Sequence, residues 1–490
     1  MANYQVPGVY VTQSGTSLIS VNPTNLNIAI IADQPTSGTG TDYFYNVVAT
    51  SGVTIGALSI PTVVTGTGVT VTWASGSGTA SGVAGTNFNF STISGITYLT
   101  TSGVASNSLC PSGTVTVNYS HFWGAYGTYT GYNAVVNAIG TPVSGTTVTN
   151  PAVLAAQFAF QNGARTVSIL PVARATNNGT ATSTDWKNVF TISGSSTNAT
   201  FISNTVGVDV IVPLYGFTAG FDTVATGINT YLNTQAAAGI YQRAFLGVDG
   251  TATSVTSANM QTLASGFNST RVSVVFPALL NYNPGLNTTT GLSNTTFNIP
   301  GYYLASAIAG VFVGQPDVST PVTNKQVIGF NDIPNQISEI DAATNYLPYG
   351  VLTVRKKRDG NFWVLHGLTT NVTNWLTQEV SINAIGDRLA RLIKTDLENS
   401  FLVGSPLTKN TSSAALGTVQ GTLTNALSNG LIQSYQNLAL SLNNASPTTL
   451  FVTFQYAPTY PINYVQATFS LNTQTGQVIY GNAQSNFVVY

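Results

Sequence analysis

Asn150-Pro151-Ala152-Val153-Leu154-Ala155-Ala156-Gln157-Phe158-Ala159-Phe160-Gln161-Asn162-Gly163-Ala164-Arg165-Thr166-Val167-Ser168-Ile169-Leu170 is the stretch that decides the fold class. Asn150 is a good N-cap, and Pro151 sits in the first helical turn, where a missing N–H costs nothing. Val153, Leu154, Gln157 and Phe158 follow, and Asn162-Gly163 stops the helix. The apolar run 166–170 then reads as a strand. Further near-continuous apolar strands are expected at 208–214, 244–248 and 272–276. The segments 221–239 and 252–267 between them are long enough for crossover helices. Apolar strands alternating with helices predict an α/β domain with a mainly parallel sheet covered on both faces.

Toward the N-terminus, the run 26–31 reads as one more buried strand, in a first part of the core at 23–45. Between them the texture changes: over 46–125 short alternating runs such as Val69-Thr70-Val71-Thr72-Trp73 lie between Gly/Ser-rich turns, the pattern of a β-rich peripheral insertion. The main α/β core is expected over 126–330. Residues 1–22 read as an extended arm, with Val6-Pro7-Gly8-Val9-Tyr10-Val11 lacking helical periodicity. Toward the C-terminus, 331–472 reads as a second α/β part. Its clearest helix is 381–401, with Ile382, Ile385, Leu389, Leu392, Ile393 and Leu397 on one stripe. The i,i+4 pairs Asp387/Arg391 and Lys394/Glu398 are expected on its solvated side. A second helix carries Val419, Leu423, Ala426 and Leu427 up to Gly430. Strands are expected at 450–456 and 464–471, then a second extended arm at 473–490.

Composition narrows the function classes. Charged residues make up 6% of the 490, against an ordinary ~25%, so the polar surface is built from Ser, Thr, Asn, Gln and Gly. Net charge is −1, which gives no long-range field to recruit nucleic acid or an anionic membrane. No basic residue precedes Arg165, and no charged side chain follows Lys409. One cysteine, Cys110, excludes an internal disulfide framework. The first residues carry neither a basic nor an apolar signal region, so the expectation is a protein made in a cytoplasm.

Pro7-Gly8-Val9-Tyr10-Val11 resembles the start of contractile tail sheath proteins. The strand 114–119, the run Gln157-Phe158-Ala159-Phe160-Gln161-Asn162-Gly163-Ala164-Arg165, the stretch 355–360 with Phe362-Trp363, the helix 381–401 and Pro458-Thr459-Tyr460-Pro461-Ile462 resemble the same family, in the same order along the chain. The resemblance implies a subtilisin-like α/β core with a β-rich insertion domain, a C-terminal α/β domain and extended N- and C-terminal arms. It implies that strands from neighbours' arms are added to a host sheet, with Val9, Tyr10, Val11, Phe487, Val488 and Val489 as intersubunit arm residues. It implies a virion component assembled in the host cytoplasm, whose partners are further copies of itself, a tail tube, a baseplate and a tail terminator. Arg388, Arg391 and Lys394 are candidate tube contacts, because charge concentrates in 325–409 and the resemblance implies that C-terminal-domain helices face the tube. Both termini are also free of the charges that usually protect edge strands.

Catalytic chemistry is not expected. A Ser-His-Asp arrangement has only His121 and His366 to draw on, and no nucleophile-elbow pattern is present. Two histidines and one cysteine do not make a zinc site, and Gly38-Thr39-Gly40-Thr41 lacks the Lys-Ser/Thr of a phosphate loop. No metal or cofactor is expected. The run Arg355-Lys356-Lys357-Arg358 reads as a strand and turn closed by Asp359-Gly360, with its charges solvated or paired. A surface-layer or adhesin-like structural protein is the alternative that Thr/Asn/Gly richness leaves open.

Overall fold

The computed structural model describes residues 26–33, 127–172, 180–191, 207–217, 220–251, 255–285, 295–400, 405–443 and 446–463, together with strands inside 38–121 and at 469–471 and 478–480. Val9, Tyr10, Val11, Phe487, Val488 and Val489 lie outside the described residues.

A nine-stranded sheet forms the core. From one edge its strands are 326–327, 362–364, 351–356, 272–276, 243–246, 208–213, 27–33, 167–172 and 127–129. The six from 351–356 to 167–172 are mutually parallel, and each of the three outer strands pairs antiparallel with its inner neighbour. The first strand of the chain sits between the second and third parallel strands, so the sheet is wound outward in both directions. Ile28, Ala29, Ile30, Ile31 and Ala32 are wholly buried, as a strand covered on both faces requires.

The helices follow local capping chemistry. Pro151–Gln161 begins at the expected Pro151, but the Asn150 side chain forms no cap bond and donates to Thr141 O at 2.6 Å instead. Thr223–Ala237 is capped by Asp222, whose carboxylate accepts from Ala225 N at 2.8 Å. Ser257–Phe267 begins with a reciprocal Thr256/Asn259 capping box. Tyr302–Gly314 is apolar all round because it is buried, not because it meets lipid. It crosses Pro151–Gln161 at close range: a Cβ on Gly310 would stand 2.4 Å from Ala159 O, and Gly314 abuts Gly163. The buried Ser306 hydroxyl donates to Ala155 O at 2.7 Å across the same contact. No described helix is long and apolar enough to cross a membrane.

Two expected boundaries move. Strands 351–356 and 362–364 join the same sheet as 272–276, so residue 330 does not separate two sheets. The insertion begins before 46: strand Gly38–Val47 pairs antiparallel with Gly113–His121, Gly38 opposite His121. The alternation of 38–45 belongs to that sheet and not to the core. A second, three-stranded sheet joins Thr54–Ala57, Ile96–Thr101 and Phe88–Ile93.

Past the core, Val380–Asn399 and Lys409–Ser428 pack together and support a hairpin of Ile432–Asn443 and Ser446–Pro458. Within the expected C-terminal arm, Val478–Tyr480 pairs with Phe469–Leu471 of the same chain. That part of 473–490 has an internal partner.

Candidate assembly interface

The long helix Val380–Asn399 is bound to the amino ends of three neighbouring parallel strands by a chain of charges, which the Asn27 backbone extends to a fourth. Arg243 and Arg271 both bind Asp387, at 2.9 and 2.8 Å. Arg391 bonds Asp209 and donates to Tyr241 O at 3.0 Å. The Asn27 N–H donates to the other Asp209 oxygen at 3.0 Å. Thus Asn27, Asp209, Arg243 and Arg271 follow the order of their strands in the sheet, and the helix spans the last three. Arg243 also donates to Val380 O at 3.4 Å and lies 5.2 Å from the Phe312 ring centroid. Burial lowers the Arg243 guanidinium from its ordinary value, opposed by Asp387. Burial raises Asp209 above the usual aspartate value, opposed by Arg391 and the Asn27 N–H.

This geometry corrects one sequence expectation. Asp387 and Arg391 do not pair with each other on a solvated face. Each turns inward to a partner contributed by a strand, because Asp209 and Arg243 are lone charges in apolar strands and need counter-charges. That is the signal the sequence carried: Val208-Asp209-Val210-Ile211-Val212 holds one carboxylate in an otherwise apolar run. Lys394 and Glu398 do form the expected i,i+4 pair, at 4.0 Å, and are exposed. The apolar stripe is as expected, with Ile382, Ile385 and Leu389 buried. Of the three candidate tube contacts, Arg391 is occupied by Asp209 and Lys394 is exposed. Arg388 lies half-buried in a small cleft lined by Leu26, Phe312, Val318 and Asp387, and its guanidinium is lowered by burial and by Arg391.

The hairpin is the second part of the candidate interface. Tyr435, Leu438, Val452 and Phe454 pack against the core, while Phe451, Thr453 and Gln455 face outward. The inner face is thus apolar and the outer face mostly polar, with Phe451 47% exposed. A bulge at Asn437, which adopts a left-handed φ of 57°, shifts the register, and its side chain donates to Gln455 at 2.8 Å. Among the described residues this sheet has two strands only, and neither outer edge is paired with a third.

The remaining candidates have local roles. His366 Nε2 meets Glu379 Oε1, and both are buried. His121 ends the insertion strand Gly113–His121. Arg355 pairs with Glu339 at 2.7 Å and Lys356 with Asp332 at 3.2 Å, and Lys357 lies 4.5 Å from the Trp363 ring centroid. The turn closes at Gly360, with φ 83°, as the Asp359-Gly360 pair implies. Among the described residues no cluster of three His, Cys, Asp or Glu side chains could hold a metal.

No family model matches the chain. In sequence it is 26% identical over 326 residues to a tail sheath protein of Mycobacterium phage Bxz1, across 66% of this chain and 52% of that protein. The chain therefore spans about half the length of this curated relative. In structure it is similar to the helical sheath of the anti-feeding prophage in its contracted state (TM-score 0.53, 13% identity), covering 96% of this chain and all of that one. It is also similar to the contracted sheath complex of the extracellular contractile injection system PVC (TM-score 0.51, 12% identity), over 71% of this chain and 87% of that one. At these identities the structural likeness concerns the fold, a mixed α/β body built on one large mixed sheet. The chain is thus similar in sequence to a phage tail sheath protein and in fold to the sheath subunits of contractile injection systems.

Proposed function

We propose that this chain is the structural subunit of a contractile tail sheath, which polymerises around a tail tube and contracts to drive that tube through a host envelope during genome ejection. The observation that carries the reading is the open-edged hairpin Ile432–Asn443/Ser446–Pro458, in a chain similar to sheath subunits. An exposed edge of this length is a template for an added strand. The occupants are the terminal segments of neighbouring copies, 1–22 and the last residues of 473–490, through Val9, Tyr10 and Val11 and through Phe487, Val488 and Val489. The core is read as subtilisin-like, which the strand order around 27–33 and the crossover helices support, but as a scaffold without its chemistry.

The partners are further copies, the tail tube, the baseplate and the tail terminator, in a virion assembled in the host cytoplasm. No catalysis, metal or cofactor is required. Contraction draws on free energy stored in the extended lattice, and switching one two-state element from 1:99 to 99:1 takes ~5.5 kcal/mol, which many coupled subunits supply in small shares. Tube contact falls to Arg388 and Lys394, since Arg391 is occupied inside the subunit. Negative-stain microscopy of the purified protein tests the reading. Striated tubes that form in EDTA without nucleotide are expected, and a strict monomer at every concentration would overturn it.

A further inference from the structure

Between the hairpin and the C-terminal segment, the chain passes through a short strap, residues 459–463. It contains no charged residue, yet it is fixed to the body at three separated points. Thr459 Oγ1 donates to Gly430 O at 2.6 Å. Tyr460 packs edge-on against Trp375, with ring centroids 5.1 Å apart. Asn463 Nδ2 donates to Glu379 Oε1 at 2.5 Å and stands 3.2 Å from His366 Nε2. The last contact joins residues 84 and 97 positions apart in sequence. Glu379 is a buried carboxylate at the N-cap of the long helix, and the segment 366–369 that carries His366 is laced to it: Val380 N donates to Gly367 O at 3.0 Å and Thr369 N to Gln378 O at 2.8 Å.

We propose that Glu379, held in place by His366, is the receptor of a latch whose bolt is Asn463, and that this latch sets where the chain beyond 463 leaves the body. Its engagement is built to be reversible. The second Glu379 oxygen and the Asn463 carbonyl oxygen are buried without a hydrogen-bond partner among the described residues. A buried acceptor left unpaired is destabilising, and opening the latch returns both atoms to water, which offsets part of the bonds given up. Ile462 is already 84% exposed, so lifting the strap gives up, besides the latch, only the Tyr460–Trp375 packing and the Thr459 bonds. Resting on the strand-exchange reading above, the latch would pass tension on the C-terminal segment to the start of the long helix, and through Asp387 to the core sheet.

The test uses the full chain and measures amide hydrogen exchange at Thr459, whose N–H donates to Leu431 O at 3.4 Å, in the unassembled subunit. Asn463→Asp sets a second carboxylate against Glu379, and Asn463→Ala removes the donor without adding charge. Exchange at this amide should rise about tenfold or more in both, the local opening becoming easier. Exchange in the hairpin and the long helix should stay unchanged. Adding Glu379→Gln to Asn463→Asp gives the new carboxylate an amide donor and should return exchange to within about threefold of the parent. Unchanged exchange in both single variants, or no rescue in the double variant, overturns the latch. Tube growth of the parent protein is read alongside: its failure would count against the sheath reading, while the exchange data would still decide the latch.

Discussion

At Gly310 the backbone of one helix lies against the backbone of another, and this leaves no room for a side chain. A Cβ there would meet Ala159 O at 2.4 Å and Ala159 Cα at 3.0 Å, and neither atom can swing aside. Gly310→Ala should therefore lower stability by about 1–3 kcal/mol, the usual range for overpacking, read from urea midpoints. A second prediction concerns Asp387, which neutralises two guanidiniums at once. Asp387→Asn leaves Arg243, 6% exposed, without its ion-pair partner, and the loss should be about 3–5 kcal/mol. Asp209 makes a pH prediction. Its folded value is raised, so the folded chain holds that proton more tightly than the unfolded chain does. The contribution is present below the ordinary aspartate value and is lost as pH climbs through the raised one, so stability falls across that window. Asp209→Asn should flatten this fall, measured as urea midpoints between acid and neutral pH. A midpoint profile that keeps its slope in the variant would assign the dependence to another group.

At the scale of elements, the two halves of the candidate interface differ in how openly the sequence displayed them. The parallel strands and crossover helices were legible because burial on both faces forces long apolar runs, and a first-turn Pro151 or a cap such as Asp222 marks a helix start without help from tertiary contacts. The stripe of Val380–Asn399 was legible for the same reason, but the destination of its charges was not. An i,i+4 spacing states which residues share a face, while the partner of Asp387 is set by strands more than 100 residues away in sequence. The hairpin strands were half legible: alternation showed 450–456, whereas the partner Ile432–Asn443 carries a bulge at Asn437 that breaks its period. The helix at 419–427 was read correctly for Val419, Leu423 and Ala426, but Leu427 is 41% exposed. A prediction follows for the open edge. Replacing Phe451 and Thr453 by Lys places charge on the outward face, which native edge strands use to discourage pairing. The thermal midpoint should barely move, as exposed substitutions stay within about 0.5 kcal/mol, while tubes seen by microscopy should shorten or vanish. Full-length tubes from the doubly charged hairpin would move the augmented edge elsewhere.

At the scale of the whole molecule, the insertion is joined to the core in a way that makes it separable. Its first and last strands, Gly38–Val47 and Gly113–His121, pair antiparallel from Gly38 opposite His121 onward. Opposed residues in such a ladder stand about 4.5–5.5 Å apart, so the chain leaves the core and returns to it through one narrow gate. A linker of a few Gly and Ser residues can close that gap without pulling on either side. The inserted sheets have buried side chains of their own, Val71, Val115 and Val117 in one and Leu99 in the other, and none of these belongs to the large core cluster. The core sheet, for its part, takes the strand before the insertion and the strand after it as neighbours of different partners: Asn27–Asp33 lies between 167–172 and 208–213, and Gly127–Tyr129 caps the far edge. Removing 38–121 therefore subtracts a module and not a layer. The shortened chain should remain soluble, should keep the urea midpoint of the core within about 1 kcal/mol, and should still build tubes, now of smaller outer diameter in electron micrographs. Aggregation on expression would show that the insertion shields the core, and soluble subunits unable to assemble would make it part of the lattice contact.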